Sequence, residues 1–252
     1  MSFSFAEAIL HSSFCIAHSS FLILTSSLYF MLLSTAYLPP IQWFTKLLGT
    51  EQGSNGACVY VEALESYIKQ TYRNRCVIDS PAGPLALTIP VEKPDNGSRL
   101  IRDLRISEHG NWRHQHWQAL SSSYFNSPFF EYYQDDFHPF YEKRYDFLMD
   151  FNEALIEKCC ELIDMQPLLQ RTTSYQEKTD VSSDEFEDFR DVISPKKDLS
   201  LDTTFSPTPY YQVFSAKHGF LPNLSIVDLI FNMGPESIFV LQDSKRSLKS
   251  QE

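Results

Sequence analysis

Between Leu32 and Val61 the chain runs from an apolar stretch through an amphipathic one to a second apolar stretch, and this spacing constrains its fold more than any other feature. Leu32-Leu33-Ser34-Thr35-Ala36 reads as a strand that Tyr37-Leu38-Pro39-Pro40 breaks. Ile41 to Leu48 carries apolar residues at helical spacing, with the prolines where a first turn tolerates them. Gly49 ends that helix, and Ala57-Cys58-Val59-Tyr60-Val61 reads as the next strand. Strand, helix and strand within this length suit a right-handed parallel crossover. The expected fold class is therefore α/β: a βαβ-type opening with a mixed sheet, flanked by a C-terminal group of helices.

Further along, Cys76-Val77-Ile78 and Leu85 to Val91 flank the turn Ser80-Pro81-Ala82-Gly83-Pro84 and predict a β-hairpin. Ile101 to Ile106 alternates apolar and charged residues, which predicts a half-buried strand. Helices are expected from Asn111, as a cap, to Tyr124, from Ser127-Pro128 through Phe137, and from about Tyr145 to Leu162, where one apolar stripe faces the core. Residues 170–203 are acidic, polar and aperiodic, and read as a loop or partly disordered insertion with a solvated face. Leu224 to Asn232 predicts a final helix capped by Asn223 or Ser225, followed by a polar tail over 241–252.

The main domain is expected over 31–240. Residues 1–30 read as an apolar extension outside it: no Asp, Glu, Lys or Arg stands between Glu7 and Lys46, yet the start lacks the basic residues of a signal peptide, and Ser, Thr and His recur throughout. Membrane contact is expected only if that extension belongs to the native protein. The formal net charge of -11 argues against a nucleic-acid binder, which carries a basic face. Five cysteines with no C-x-x-C pair predict neither a disulfide framework nor a zinc site, and place the protein in the cytoplasm. No glycine-rich phosphate loop, nucleophile elbow or H-E-x-x-H helix is present, so no cofactor can be assigned.

Against this acidic background, Glu65 to Arg75 gathers three cations, Lys69, Arg73 and Arg75, with Gln70, Tyr72 and Asn74 between them, at the entrance to the hairpin. Guanidinium groups grip phosphate or carboxylate bidentately and Lys adds a point charge, so these six residues form a candidate site for a small molecule bearing such a group. An internal salt-bridge set with Glu62 and Glu65 accounts for the same cations equally well. His116, beside Asn111, Arg113, Trp112 and Trp117, is a candidate acid/base, since an imidazole titrates close to neutrality; a core histidine is the competing reading. The turn and helix start from Gly219 to Asp228 form a third candidate, which plain capping also explains.

The segments TAYLPPIQWFTKLL, VYVEALESYIKQTYRNRCVI, LTIPV, NWRHQHWQALSSSYFNSPFFEYY, DFNEALIEKCCEL and FLPNLSIVDLIFNMGPES, in this order between about Leu32 and Ser237, resemble the WbqC-like proteins, a bacterial family with members in O-antigen and other surface-polysaccharide clusters. The resemblance implies an aminoacyl (glycine) or related group transfer onto such sugars. Tyr67, Lys69, Gln70, Tyr72, Asn74 and Arg75 match the family pattern. Where that pattern has His-Gln-Pro-Asn before Tyr-Leu-Pro, this chain has Leu33-Ser34-Thr35-Ala36. Two functions follow as expectations. One is a transferase with a cationic site for its ligand, and the other a non-catalytic nucleotide-sugar or carbohydrate binding or assembly protein that uses Trp112, Trp117 and Tyr72 as stacking surfaces.

Overall fold

Phe30–Ser34 forms β1, whose three middle residues are fully enclosed, as expected of a strand covered on both faces. It is the centre of the fold. The computed structural model describes residues 29–50, 58–92, 99–177 and 186–246. On one side β1 pairs in parallel with β2 (Cys58–Glu62), Phe30 opposite Cys58 and Ser34 opposite Glu62. The expected first crossover therefore holds, with the helix between them reduced to α1 (Ile41–Phe44) and a following 3-10 turn over Thr45–Leu47. The hairpin also forms, β3 (Arg75–Ile78) lying antiparallel to β4 (Leu85–Thr88), and Gly83 with φ of 104° makes its turn possible. Parallel and antiparallel pairing are thus separated into two sheets within an α/β architecture.

After the hairpin, Ile101 to Ile106 departs from the strand expectation. Ile101–Asp103 is a 3-10 turn, and Arg105 and Ile106 make single bridges to Phe147 and Val91. The alternation is real, since Ile101, Leu104 and Ile106 are buried and Arg102, Asp103 and Arg105 exposed. It reports which side chains face inward. The backbone N–H groups go to separate segments, Ile101 to Glu65, Arg102 to Ala63 and Ile106 to Asp146.

Helices α2 (Trp112–Tyr124), α3 (Phe130–Glu142) and α4 (Leu148–Leu162) follow near the expected places. Asn111 does not cap α2. It sits at φ 49° after Gly110 at φ 84°, and its side chain makes no capping bond. The helix therefore begins with N–H groups that no side chain at this position satisfies.

The segment expected as a loop-like insertion corrects the sequence reading most. It opens next to β5 (Leu169–Arg171), which pairs with β2, and it contains β6 (Phe186–Asp188), which pairs with β1. The main sheet has the order β5-β2-β1-β6 with every pairing parallel. Towards the C-terminus come α5 (Ser215–His218), α6 (Ile226–Met233) and α7 (Ser237–Ser244). Val240 and Leu241 of α7 are buried, so ordered structure continues into the stretch expected to be a polar tail. Phe231 of α6 anchors this layer, with the rings of Tyr124, Phe130 and Phe137 at 5.1–5.2 Å. Residues 1–28 and 247–252 lie outside the described residues. Among those described, no helix is long and apolar enough to cross a membrane.

Candidate functional site

The carboxyl ends of β1, β2 and β6 carry Ser34, Glu62 and Asp188, and beyond the carboxyl ends of parallel strands is where open α/β sheets hold their ligands. Two buried ionic clusters close this end. In the first, Arg73 donates from Nε to Glu65 Oε1 at 2.8 Å, and from Nη2 to Glu65 Oε2 at 2.5 Å and to Ser34 Oγ at 2.8 Å. Ser34 Oγ donates in turn to Glu65 Oε2 at 3.1 Å. In the second, Arg190 grips Asp188 and reaches Glu62 Oε2 at 3.2 Å, while Thr172 Oγ1 donates to Glu62 Oε1 at 2.6 Å. Between β1 and Phe189 only about 10 Å³ remains open, roughly room for one water.

The six residues expected to bind a ligand divide between this closed layer and the surface above it. Arg73 is 3% exposed and spent on Glu65, so the internal salt-bridge reading describes it, with Glu65 rather than Glu62 as partner. Asn74 is buried and donates to the Ile89 carbonyl at 2.8 Å. Tyr72 is half-buried, its carbonyl accepts from the Tyr37 N–H at 2.9 Å, and burial pushes its hydroxyl up to about 12. Lys69, Gln70 and Arg75 differ. Lys69 is exposed, the Arg75 side chain donates to Thr88 Oγ1 at 3.0 Å, and Gln70 accepts from Lys196 Nζ at 2.5 Å. None of Lys69, Arg75 and Lys196 meets a carboxylate among the described residues. Tyr67 lies in the same field: burial raises its hydroxyl, and Arg75 and Arg73 offset part of the rise.

The backbone explains the division. Gln70 takes φ of 61°, which turns the chain so that Lys69 and Gln70 point outward before Arg73 enters the core. Asn152 of α4 holds this entrance, donating to the Arg73 carbonyl at 2.8 Å and to Thr35 Oγ1 at 3.1 Å. Sequence reasoning missed Asn152, Asp188, Arg190 and Lys196. The only local signal was Asp188 and Arg190 closely spaced in a stretch read as solvated. A further buried pair, Lys46 with Asp202 at 2.5 Å, was equally unreadable; burial lowers the Lys46 pKa and Asp202 opposes that.

His116 is enclosed in the core. It is 5% exposed, its Nδ1 hydrogen-bonds the Tyr37 hydroxyl at 3.0 Å, and its ring stacks on Tyr37 and meets Trp112 edge-on. Burial pulls its pKa down to about 4, so it is neutral at physiological pH. This is the geometry of a core histidine. At the start of α6, Asn223 Oδ1 accepts from the Gln42 N–H and Ser225 Oγ donates to the Leu38 carbonyl, so neither caps the helix, and Asp228 fills the first turn.

A parallel α/β protein with its charged side chains gathered at the carboxyl end of the sheet is the class that this geometry defines. The chain belongs to the WbqC-like protein family, whose model matches residues 35–202, more than half of its length. It is 25% identical over 190 residues to Uncharacterized protein Rv1507c of Mycobacterium tuberculosis (strain ATCC 25618 / H37Rv), a match that spans 68% of this chain and 81% of that protein. No solved structure matches it. Leu33 and Ser34 fall at the end of β1; Leu33 is wholly buried and Ser34 serves the Arg73–Glu65 pair.

Proposed function

We propose that this protein transfers an aminoacyl (glycyl) or related group in bacterial surface-polysaccharide assembly, and that Lys69, Gln70, Arg75 and Lys196 hold the phosphate or carboxylate of its ligand. The observation that carries the proposal is the contrast at the carboxyl end of the sheet. The inner cations are each held by carboxylates, in Arg73–Glu65 and Arg190–Asp188–Glu62, whereas the rim cations meet no carboxylate among the described residues. Tyr72, Arg73 and Asn74 act as the frame that fixes the rim. Cations placed in this way also lower the cost of charge developing during acyl or phosphoryl transfer. Family membership supports the reading.

A second reading, a non-catalytic nucleotide-sugar or carbohydrate binding or assembly protein, is favoured by the burial of His116. One experiment addresses both. Thermal shifts with nucleotide sugars, aminoacyl donors and sugar phosphates are compared between the wild type and Arg75→Ala. A ligand of the rim stabilises the wild type and loses about tenfold in affinity in the variant, as expected for one charged hydrogen-bonding group. Equal stabilisation of both proteins overturns the rim site. Binding with no product by mass spectrometry for any acceptor favours the second reading.

A further inference from the structure

A cleft of about 480 Å³ opens between the start of α2 and the end of α3, away from the sheet end and within the size range of small-molecule sites. We infer that it is a second ligand site, which binds a small ring-bearing anion, a ring compound carrying phosphate or carboxylate. Its lining combines hydrogen-bond donors with an aromatic surface. Trp112, 4% exposed, has an indole N–H with no acceptor among the described residues, and Arg113 has a buried Nε–H in the same condition. Neither atom is open to solvent, so a ligand oxygen meets them only as the side chains shift, and it then removes the desolvation penalty that a buried donor without an acceptor carries.

Arg113 and Arg144 supply cationic groups to the cleft. Arg113 forks onto Glu108 at 2.5 and 2.6 Å, and Arg144 approaches the same carboxylate at 3.7 Å. Two guanidinium groups thus share Glu108, while Glu142 lines the same cleft and balances the second of them, and Arg144, 80% exposed, is able to turn onto a ligand. The start of α2, uncapped by Asn111, adds its positive end. Trp117 is half-buried, and its indole lies 4.8 Å from the His138 ring and 5.8 Å from Tyr141. That aromatic wall suits the face of a base or sugar ring, which an isolated phosphate would not use.

Titration calorimetry of the full-length protein with a nucleoside monophosphate, a hexose phosphate and inorganic phosphate tests the inference. At least one ring-bearing phosphate binds more tightly than inorganic phosphate. Arg144→Ala, at a surface position that leaves the fold intact, weakens it about tenfold, and Trp117→Ala about fivefold or more. Arg75→Ala leaves this affinity unchanged. The relative strength of the nucleotide and hexose arms identifies which ring the cleft takes. Equal affinity for inorganic phosphate, binding indifferent to Arg144→Ala, or no binding in any arm overturns the inference. Loss of binding in Arg75→Ala with retention in Arg144→Ala also overturns it, because the ligand then occupies the sheet end.

Discussion

Arg73 and Arg75 are two residues apart and share one charge, yet the fold gives them opposite duties. Arg73 is enclosed with Glu65, so Arg73→Ala strands a carboxylate in the interior and is expected to cost about 3–5 kcal/mol. Arg75→Ala, at a half-exposed position with one hydrogen bond to Thr88, is expected to change stability by about 0.5 kcal/mol or less. Urea unfolding of the two variants measures the difference, and equal losses would contradict the division between frame and rim. The residue types that favour anions were legible in the sequence. Their partners were not: Arg73 closes on Ser34 and Glu65, which lie 39 and 8 residues away along the chain.

Among the elements, those with several apolar residues at a regular period were readable. β1, β2, the hairpin and helices α2 to α4 all stand close to where periodicity predicts them. β5 and β6 escaped because each has only three residues, too few to show a period, and most are polar: Gln170, Arg171, Glu187 and Asp188. Their pairing to β2 and β1 is decided by the tertiary structure, which also explains how a stretch resembling an insertion supplies Asp188 and Arg190 to the sheet end. The link from α6 to α7 offers a test at this scale. Gly234 takes φ of 56°, and a Cβ there would lie 2.5 Å from the Phe129 ring. Gly234→Ala therefore combines backbone strain with overpacking and is expected to destabilise by about 2–4 kcal/mol in thermal or chemical unfolding. A stability unchanged by this substitution would show that Phe129 moves aside without cost.

Over the whole molecule, two buried groups set opposing responses to acid. Burial raises Asp228 from its ordinary value of 3.8 to about 6, against hydrogen bonds from Tyr210 and Tyr124, and burial lowers His116 from 6.5 to about 4. The raised carboxyl contributes stability that is complete below about 3.8 and lost as pH rises through 6. The depressed imidazole contributes stability that is complete above 6.5 and lost as pH falls towards 4. Asp79, whose buried carboxylate oxygens have no partner among the described residues, is raised by burial and adds to the first effect. Between pH 4 and 6 the contributions offset one another. Asp228→Asn is expected to steepen the loss of stability on acidification in this window, by up to about 1.4 kcal/mol per pH unit, and His116→Gln to reverse its sign. Denaturation midpoints collected from pH 4 to 7 compare the slopes, and parallel curves for all three proteins would refute the compensation.

The sheet order also dictates when during synthesis the domain can close. β1 emerges from the ribosome well before its neighbour β6, which pairs Phe186 with Phe30. β2 likewise waits for Leu169 to reach Val59. Until then the apolar Met31-Leu32-Leu33 strand can be covered on one edge only, by β2, and the nascent chain presents an open pairing edge, the kind of surface that chaperones shield and that drives aggregation. Such distant pairings also slow folding, because loop closure precedes the contacts that reward it. Assembly of the sheet end is thus completed late, and the charged cluster that joins Glu62 to Arg190 takes final form only after Arg190 itself has been made.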